Sequence, residues 1–411
     1  MNKKSIYKFT ENTLSLFSIK AIDLGLTLWL IPYLILKIGI DNYGIYALAM
    51  SLILFFQNVL NYGFELSTVR EVSKNSQNSE VLSKIFSEVI SVKIVLLLIL
   101  YPILLVLVLF VPAFWAQKSL YFFASLILIG DFFSLRWFFL GMEIMKYKAL
   151  INLMSTIIFV ILVLVVVHSK DDYKWIPLMQ AISMTFISLI SFFWVLKSYK
   201  IQLKFISFLK INTYLKTNFS SFLNLLLTST YGILAVFFVG VFSLPVHVSY
   251  MQIGVKVTGA FSTLNTILTK VFFPIVNRKK SVIAAFKKVL LAVGVILSIS
   301  MFFGSDFLIS WWLKVESSVE QSNTINVIKI LSPIPFLMAV ISGYGVNGLL
   351  VFYKDVLYSK ITLIATAIMI ILFWLLIPNY HFYGGAIALL VGRAVYAVLT
   401  YGSFKMIKTN G

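Results

Sequence analysis

The chain has 411 residues, 60% of them hydrophobic and 12% charged, with a net charge of +19 and no cysteine. A soluble domain is excluded, since globular proteins carry about 25% charged residues, and the missing thiols remove disulfides, thiolate metal sites and cysteine catalysis. Nucleic acid is a poor partner for this charge, because most Lys and Arg lie in short loops flanking apolar runs, as orientation signals do.

About 20 apolar residues as helix cross the hydrocarbon core. Twelve such stretches are predicted: 13–38, 43–66, 86–111, 118–141, 149–168, 174–196, 218–242, 248–275, 284–304, 325–350, 356–377 and 382–404. The first has basic residues ahead of it, but Lys20 and Asp23 interrupt it and no small-residue cleavage site follows, so it reads as a retained span and not a removed signal. With the N-terminus inside, inner segments hold 22 Lys and Arg, whereas outer ones hold only Lys37, Lys118, Lys170, Lys174 and Lys314. That asymmetry predicts both termini in the cytoplasm. The longest polar break, 197–217, separates a lobe at 1–196 from one at 218–411. Its Ile201, Phe205, Phe208 and Leu215 recur beside a basic face, which predicts an amphipathic helix on the inner membrane surface. The expected fold is all-α integral membrane, two six-helix bundles around a central cavity, the plan of transporters that rock about a mid-plane site.

Charges within the spans carry the functional information, because an ionisable group in hydrocarbon costs a few kcal/mol or more and is kept facing a cavity or a partner. Seven are basic: Lys20, Lys93, Arg136, Lys256, Lys270, Lys329 and Arg393. Asp23 and Asp131 oppose them, with Glu65, Glu88 and Glu143 nearer the ends, so a positive interior suited to a phosphate-bearing cargo is expected. In span one, Lys20 and Asp23 are three residues apart, on one face, and can pair or exchange partners. In span two, Asn58, Asn61 and Glu65 share a face that could bond sugar hydroxyls or simply join helices. Asp131 and Arg136, five apart, fall on diverging faces of a continuous helix and are not read as a site. Span eight holds a stripe of Gln252, Lys256, Gly259, Thr263, Thr266 and Lys270 at spacings of three and four. Its two ammonium groups, roughly 20 Å apart at 1.5 Å per residue, would line a path, unless Lys270 snorkels to the surface. In span ten, Pro333 and Pro335 predict a bend, either a hinge or a kink filled by neighbours. Arg393 in span twelve could face the cavity or neutralise an acid. His168, His247 and His381 sit singly near outer loops, and no Walker loop, metal cluster or nucleophile motif occurs, so no catalytic residue, metal or cofactor is expected.

The run Leu135-Arg136-Trp137-Phe138-Phe139-Leu140-Gly141-Met142-Glu143 resembles the Trp-Phe-x-x-Gly-x-Glu signature of Wzx-type O-antigen flippases, polysaccharide transporters in the superfamily of the multidrug and toxic compound extruders. Leu30-Ile31-Pro32-Tyr33, Gly39, Tyr43-Gly44, Tyr62-Gly63-Phe64, Arg70-Glu71 and Phe273-Pro274 are similar to that family as well. The resemblance implies transport of an undecaprenyl-pyrophosphate-linked oligosaccharide, an O-antigen or related unit of lipopolysaccharide, across the bacterial cytoplasmic membrane. It implies membrane lipids and a candidate polysaccharide polymerase complex as partners; that the chain is not an enzyme is expected from the missing catalytic motifs. Expected substrate-facing residues are Lys20, Asp23, Asn58, Asn61, Lys256, Thr263, Lys270 and Arg393, with coupling to H+ or Na+ through Asp23 as a candidate. The competing readings are a multidrug or toxin exporter of the same superfamily, and a membrane polysaccharide polymerase or transferase.

Overall fold

The computed structural model describes residues 3–278, 282–313, 317–352 and 354–409, with side chains other than those of 3–17, 270, 271, 273–275, 277, 278 and 407–409. Among the described residues every element is helical. Nine helical stretches among the described residues are long and apolar enough to cross a membrane, or ten if the broken pair Phe208–Ser229 and Tyr231–Phe242 counts as one span. The chain divides into two compact units, Met1–Gly39 with Ala49–Thr230, and Ile40–Leu48 with Tyr231–Gly411.

The core of the first unit gathers on Phe86, whose ring lies 5.3 Å from Trp137, 5.8 Å from Phe138 and 5.7 Å from Phe192. Trp137 and Phe138 are thus packing residues, both buried. Gly141 gives room to the neighbouring helix, since a Cβ there would sit 2.6 Å from the Val72 side chain. Glu143 adopts a left-handed φ of 58° and closes the short helix Arg136–Gly141. Its N–H reaches the Leu140 carbonyl at 3.2 Å and the Ile144 N–H reaches Phe139 at 3.0 Å, the paired bonds of a left-handed helix end. The Trp-Phe-x-x-Gly-x-Glu run therefore builds a corner.

Just before that corner the span breaks. Helix Ile127–Phe132 ends, and helix Arg136–Gly141 begins after an irregular turn at 133–135. The break frees main-chain carbonyls, which in lipid must find donors. Lys93 supplies them: its buried ammonium donates to the carbonyls of Asp131, Ser134 and Phe132 at 3.0, 3.3 and 3.4 Å. An ammonium has three protons to give, and a cation suits a helix C-terminus. The expectation that Asp131 and Arg136 diverge is overturned here. Because the helix is interrupted between them, Arg136 Nη2 reaches Asp131 Oδ1 at 2.6 Å.

The 197–217 segment also departs from expectation. Helix Ile176–Ser198 ends in the same left-handed manner, with Lys200 at φ 53° and the Ile201 N–H on the Leu196 carbonyl at 2.9 Å. The next residues run extended, and helix resumes only at Phe208. The extended stretch lies along helix Ser79–Phe110, where the N–H groups of Gln202, Lys204 and Ile206 donate to the hydroxyls of Ser83, Ser87 and Ser91 at 3.0, 3.0 and 3.3 Å. The match is one of rise: four helical residues advance about 6.0 Å and two extended residues about 6.6 Å. Serines spaced by four thus serve alternate strand amides, and their bonds replace the helix that the apolar spacing alone suggests. Changing Ser87 and Ser91 together to Ala should cost about 1 kcal/mol for each lost bond. The expected readout is faster tryptic cleavage at Lys204 and Lys210 in limited proteolysis, with the spans left intact.

In the second unit, helix Asp355–Thr409 is 55 residues long but contains a non-helical residue, His381, at φ 50° and ψ −128°. The chain reverses there. Gly384 packs on the Leu376 and Ile377 backbone, Gly392 on the Met369 side chain, and Thr362 Oγ1 lies 2.9 Å from Tyr396 Oη, pairs that run antiparallel about the turn. Span ten breaks at Ser332 and Pro333, between helices Ser318–Leu331 and Ile334–Val340. Neighbours occupy the break: Ser298 Oγ accepts the Phe336 N–H at 3.0 Å, and Asn265 Nδ2 donates to the Pro335 carbonyl at 2.8 Å. A π-helical stretch follows at Ile341–Val346.

Candidate functional site

The intramembrane cations divide, by what they touch, into structural charges and available ones. Lys93 and Arg136 belong to the broken span of the first unit. Asn61 joins the same network, donating from Nδ2 to Asp131 Oδ2 at 2.6 Å, so both oxygens of this fully buried carboxylate are occupied. Glu65, on the same helical face by sequence, pairs with Lys148 at 3.6 Å. Asn58 is half-buried, and among the described residues it has no hydrogen-bond partner. The face shared by Asn58, Asn61 and Glu65 is therefore divided: two members bind protein groups and one is available.

Lys20 and Asp23 meet as their spacing suggests, with Nζ 3.2 Å from Oδ2. The second oxygen, Oδ1, accepts from Thr156 Oγ1 at 2.6 Å, a residue 133 positions away on helix Met145–Val166. Lys20 remains 43% exposed while Asp23 is 18% exposed. The pair is thus a mostly buried carboxylate with one hydroxyl partner and one half-exposed ammonium partner. Nothing in the sequence marked Thr156, because its link to Asp23 exists only in the packed unit.

In the second unit, Lys329 is taken by Asp306, at 2.8 Å. Arg393 and Lys256 are different: among the described residues neither forms an ion pair. The Arg393 guanidinium carbon stands 4.1 Å over the ring of Tyr231. Tyr231 stacks at 6.2 Å on Tyr396, whose ring lies 6.0 Å from that of Tyr358. Thr366 Oγ1 and Tyr231 Oη, 3.0 Å apart, fix the first ring. An aromatic face attracts a cation without consuming its N–H donors. The guanidinium therefore keeps a fork that fits a phosphate in a bidentate way. The tyrosines are the residues that sequence reasoning missed, and their common signal is weak, since aromatic residues are abundant in every span.

Lys256 lies on helix Pro245–Arg278. Its predicted stripe is open in part: nothing lies within 4 Å of a Cβ built on Gly259 and Thr266 is exposed, while Gln252, Lys256 and Thr263 are half-buried. Thr263 and Thr266 return their hydroxyls to the Gly259 and Ser262 carbonyls at 2.8 and 3.2 Å. A partly exposed stripe carrying an ammonium is far more stable against water than against lipid tails. The start of helix Tyr231–Phe242 ties this helix to the arginine site, for Tyr231 holds Arg393 while Gly232 packs against Val255, the residue before Lys256. The Lys270 side chain lies outside the described residues.

Two of the three histidines are not single, contrary to expectation. The rings of His247 and His381 lie 5.1 Å apart, and His381 Nδ1 is 3.2 Å from Ser243 Oγ. The reversal at His381 brings them together. Among the described residues no group of three His, Asp or Glu could hold a metal ion.

Over 406 residues the chain is 25% identical to the protein named "Putative O-antigen transporter" in Escherichia coli (strain K12), covering 97% of this chain and 96% of that one. A protein of the same name in Shigella dysenteriae is 25% identical over 54% of this chain and 55% of its own length. Among solved structures, the lipid II flippase MurJ in an inward closed conformation superposes with a TM-score of 0.75 at 15% identity, over 97% of this chain and 87% of that one. An inward-facing multidrug resistance MATE family transporter of the MOP superfamily gives 0.71 at 12% identity, over 97% and 98%. The fold is shared with both. The model of the polysaccharide biosynthesis protein family matches residues 9–280, well over half of the sequence, and the chain belongs to that family.

Proposed function

We propose that this chain is a flippase that carries an undecaprenyl-pyrophosphate-linked oligosaccharide from the inner to the outer leaflet of the bacterial cytoplasmic membrane by alternating access. Both termini lie in the cytoplasm, and a polysaccharide polymerase complex receives the cargo outside. The family, the O-antigen transport named for its relatives and a fold shared with a lipid II flippase support the reading. A multidrug transporter has a similar fold, and it is the charges that favour the flippase reading over an exporter. The observation that carries the proposal is the pair of unneutralised cations, Arg393 on its tyrosine and Lys256 on its partly open polar stripe. A pyrophosphate gains from both, whereas a cationic drug meets repulsion. The sugars and the pyrophosphate cannot enter hydrocarbon unaided, while the polyprenyl tail needs no shelter. Asp23, partly exposed and doubly partnered, is the group for a coupling H+ or Na+.

A strain lacking the chain should lose surface polysaccharide and regain it with the wild-type gene. Lys256→Ala should restore little at equal protein level. Near-normal display with Lys256→Ala would remove that residue from the mechanism. Drug hypersensitivity of the deletion strain with display intact would favour the exporter.

A further inference from the structure

We propose that the groove between helix Ser79–Phe110 and the extended 201–206 segment binds the phosphate of an anionic membrane phospholipid, with the lipid's acyl chains resting on the apolar residues that follow. The site is distinct from the cations of the second unit and stands independently of the transport reading.

Depth is the first ground. A 32-residue helix is about 48 Å long, some 18 Å more than the hydrocarbon core. Its apolar end is the run to Phe110, so its first dozen or so residues stand at headgroup level. The groove lies there, a cavity of about 350 Å³ lined by Lys84, Lys200 and Lys204 with Ser83 and Ser87.

Charge is the second. Glu80 also lines the groove, and Glu88 lies further along the same helix, near Lys84 and Lys210. Among the described residues none of the three lining lysines forms an ion pair. The groove itself thus keeps two positive charges in excess of its one carboxylate.

Shape is the third. The serine bonds hold the extended backbone against the helix, with Ile201 and Ile206 packed into the core and the side chains of 202–205 exposed. Leu203 and Phe205 are exposed, Phe205 by 82%, and the helix that follows adds exposed Phe208 and Leu209. A basic groove adjoining bare apolar side chains, at headgroup depth, matches the two ends of a phospholipid and no soluble anion. Lys200 fits this reading, because it occupies a left-handed position where Gly is easier, and its ammonium is what a Gly would lack.

The test uses the purified full chain in a neutral detergent, titrated with short-chain phosphatidylglycerol, short-chain phosphatidylcholine or inorganic phosphate while thermal unfolding is followed. Phosphatidylglycerol should raise the unfolding midpoint at concentrations where the other two do not. Lys200→Gly relieves the backbone, so its own midpoint should hold or rise while its affinity for phosphatidylglycerol falls about fivefold, the worth of one lysine near a charged surface. The triple variant K84Q/K200G/K204Q should lose roughly a hundredfold. Phe205→Ser, at an exposed position, should also weaken phosphatidylglycerol binding. Full phosphatidylglycerol affinity in Lys200→Gly would overturn the proposal, as would an equal response to phosphatidylcholine or to inorganic phosphate.

Discussion

Asp131→Ala should destabilise the first unit by about 1.5–3 kcal/mol, the worth of hydrogen bonds to a charged acceptor, because Arg136 keeps 35% of its side chain exposed and can recover part of its solvation. The carboxylate is fully buried and holds Arg136 on one oxygen and Asn61 on the other, while Lys93 grips the carbonyl of the same residue. Its loss leaves two cations beside one helix break with no anion between them. Asp131→Asn should be milder, since an amide can still accept from Arg136. Adding Arg136→Gln to Asp131→Ala should recover part of the loss, because the stranded charge goes too. Unfolding midpoints in detergent measure all three, and equal midpoints for wild type and Asp131→Ala would show that the network does not hold the break.

Arg393→Ala should behave in the opposite way: little change in stability and near-complete loss of polysaccharide display. Among the described residues no carboxylate depends on this guanidinium, so removing it strands nothing, and the ring contact with Tyr231 is worth about 0.5–2 kcal/mol. Arg393→Lys keeps the charge but not the planar fork, and should leave display intermediate. Tyr231→Phe keeps the ring and should be close to wild type in display; Tyr231→Leu should not. The comparison of Arg393→Ala with Asp131→Ala is the discriminating one, since a merely structural arginine would lower the unfolding midpoint along with display.

The membrane class, the existence of most apolar runs and the Lys20–Asp23 pair were legible because they depend on local composition and spacing, whereas the run ends were not: helix Ser79–Phe110 begins seven residues before the apolar run at 86–111. Three further features were not. The break at 133–135 contains neither Pro nor Gly, and it persists because Lys93, forty residues earlier, caps it. The apolar spacing of 201–208 fits a helix, yet the serines of another helix favour an extended chain. The excess of interior cations was legible as a total but not as a distribution. Packing assigns Lys93, Arg136 and Lys329 to structural partners, and it leaves Arg393 on a tyrosine that adjoins it only in the folded unit. Sequence shows which charges lie in a span; only tertiary contacts show which are already spent.

The most direct measurement is transfer between leaflets in sealed liposomes. Purified chain is reconstituted with a lipid-linked pyrophosphate oligosaccharide placed in one leaflet, and its arrival in the other is followed with a membrane-impermeant sugar-binding protein. Wild-type chain should move the cargo, and Lys256→Ala and Arg393→Ala should approach the rate of protein-free liposomes. Transfer by both variants at the wild-type rate, or no transfer by wild type under any ion gradient, would contradict the account.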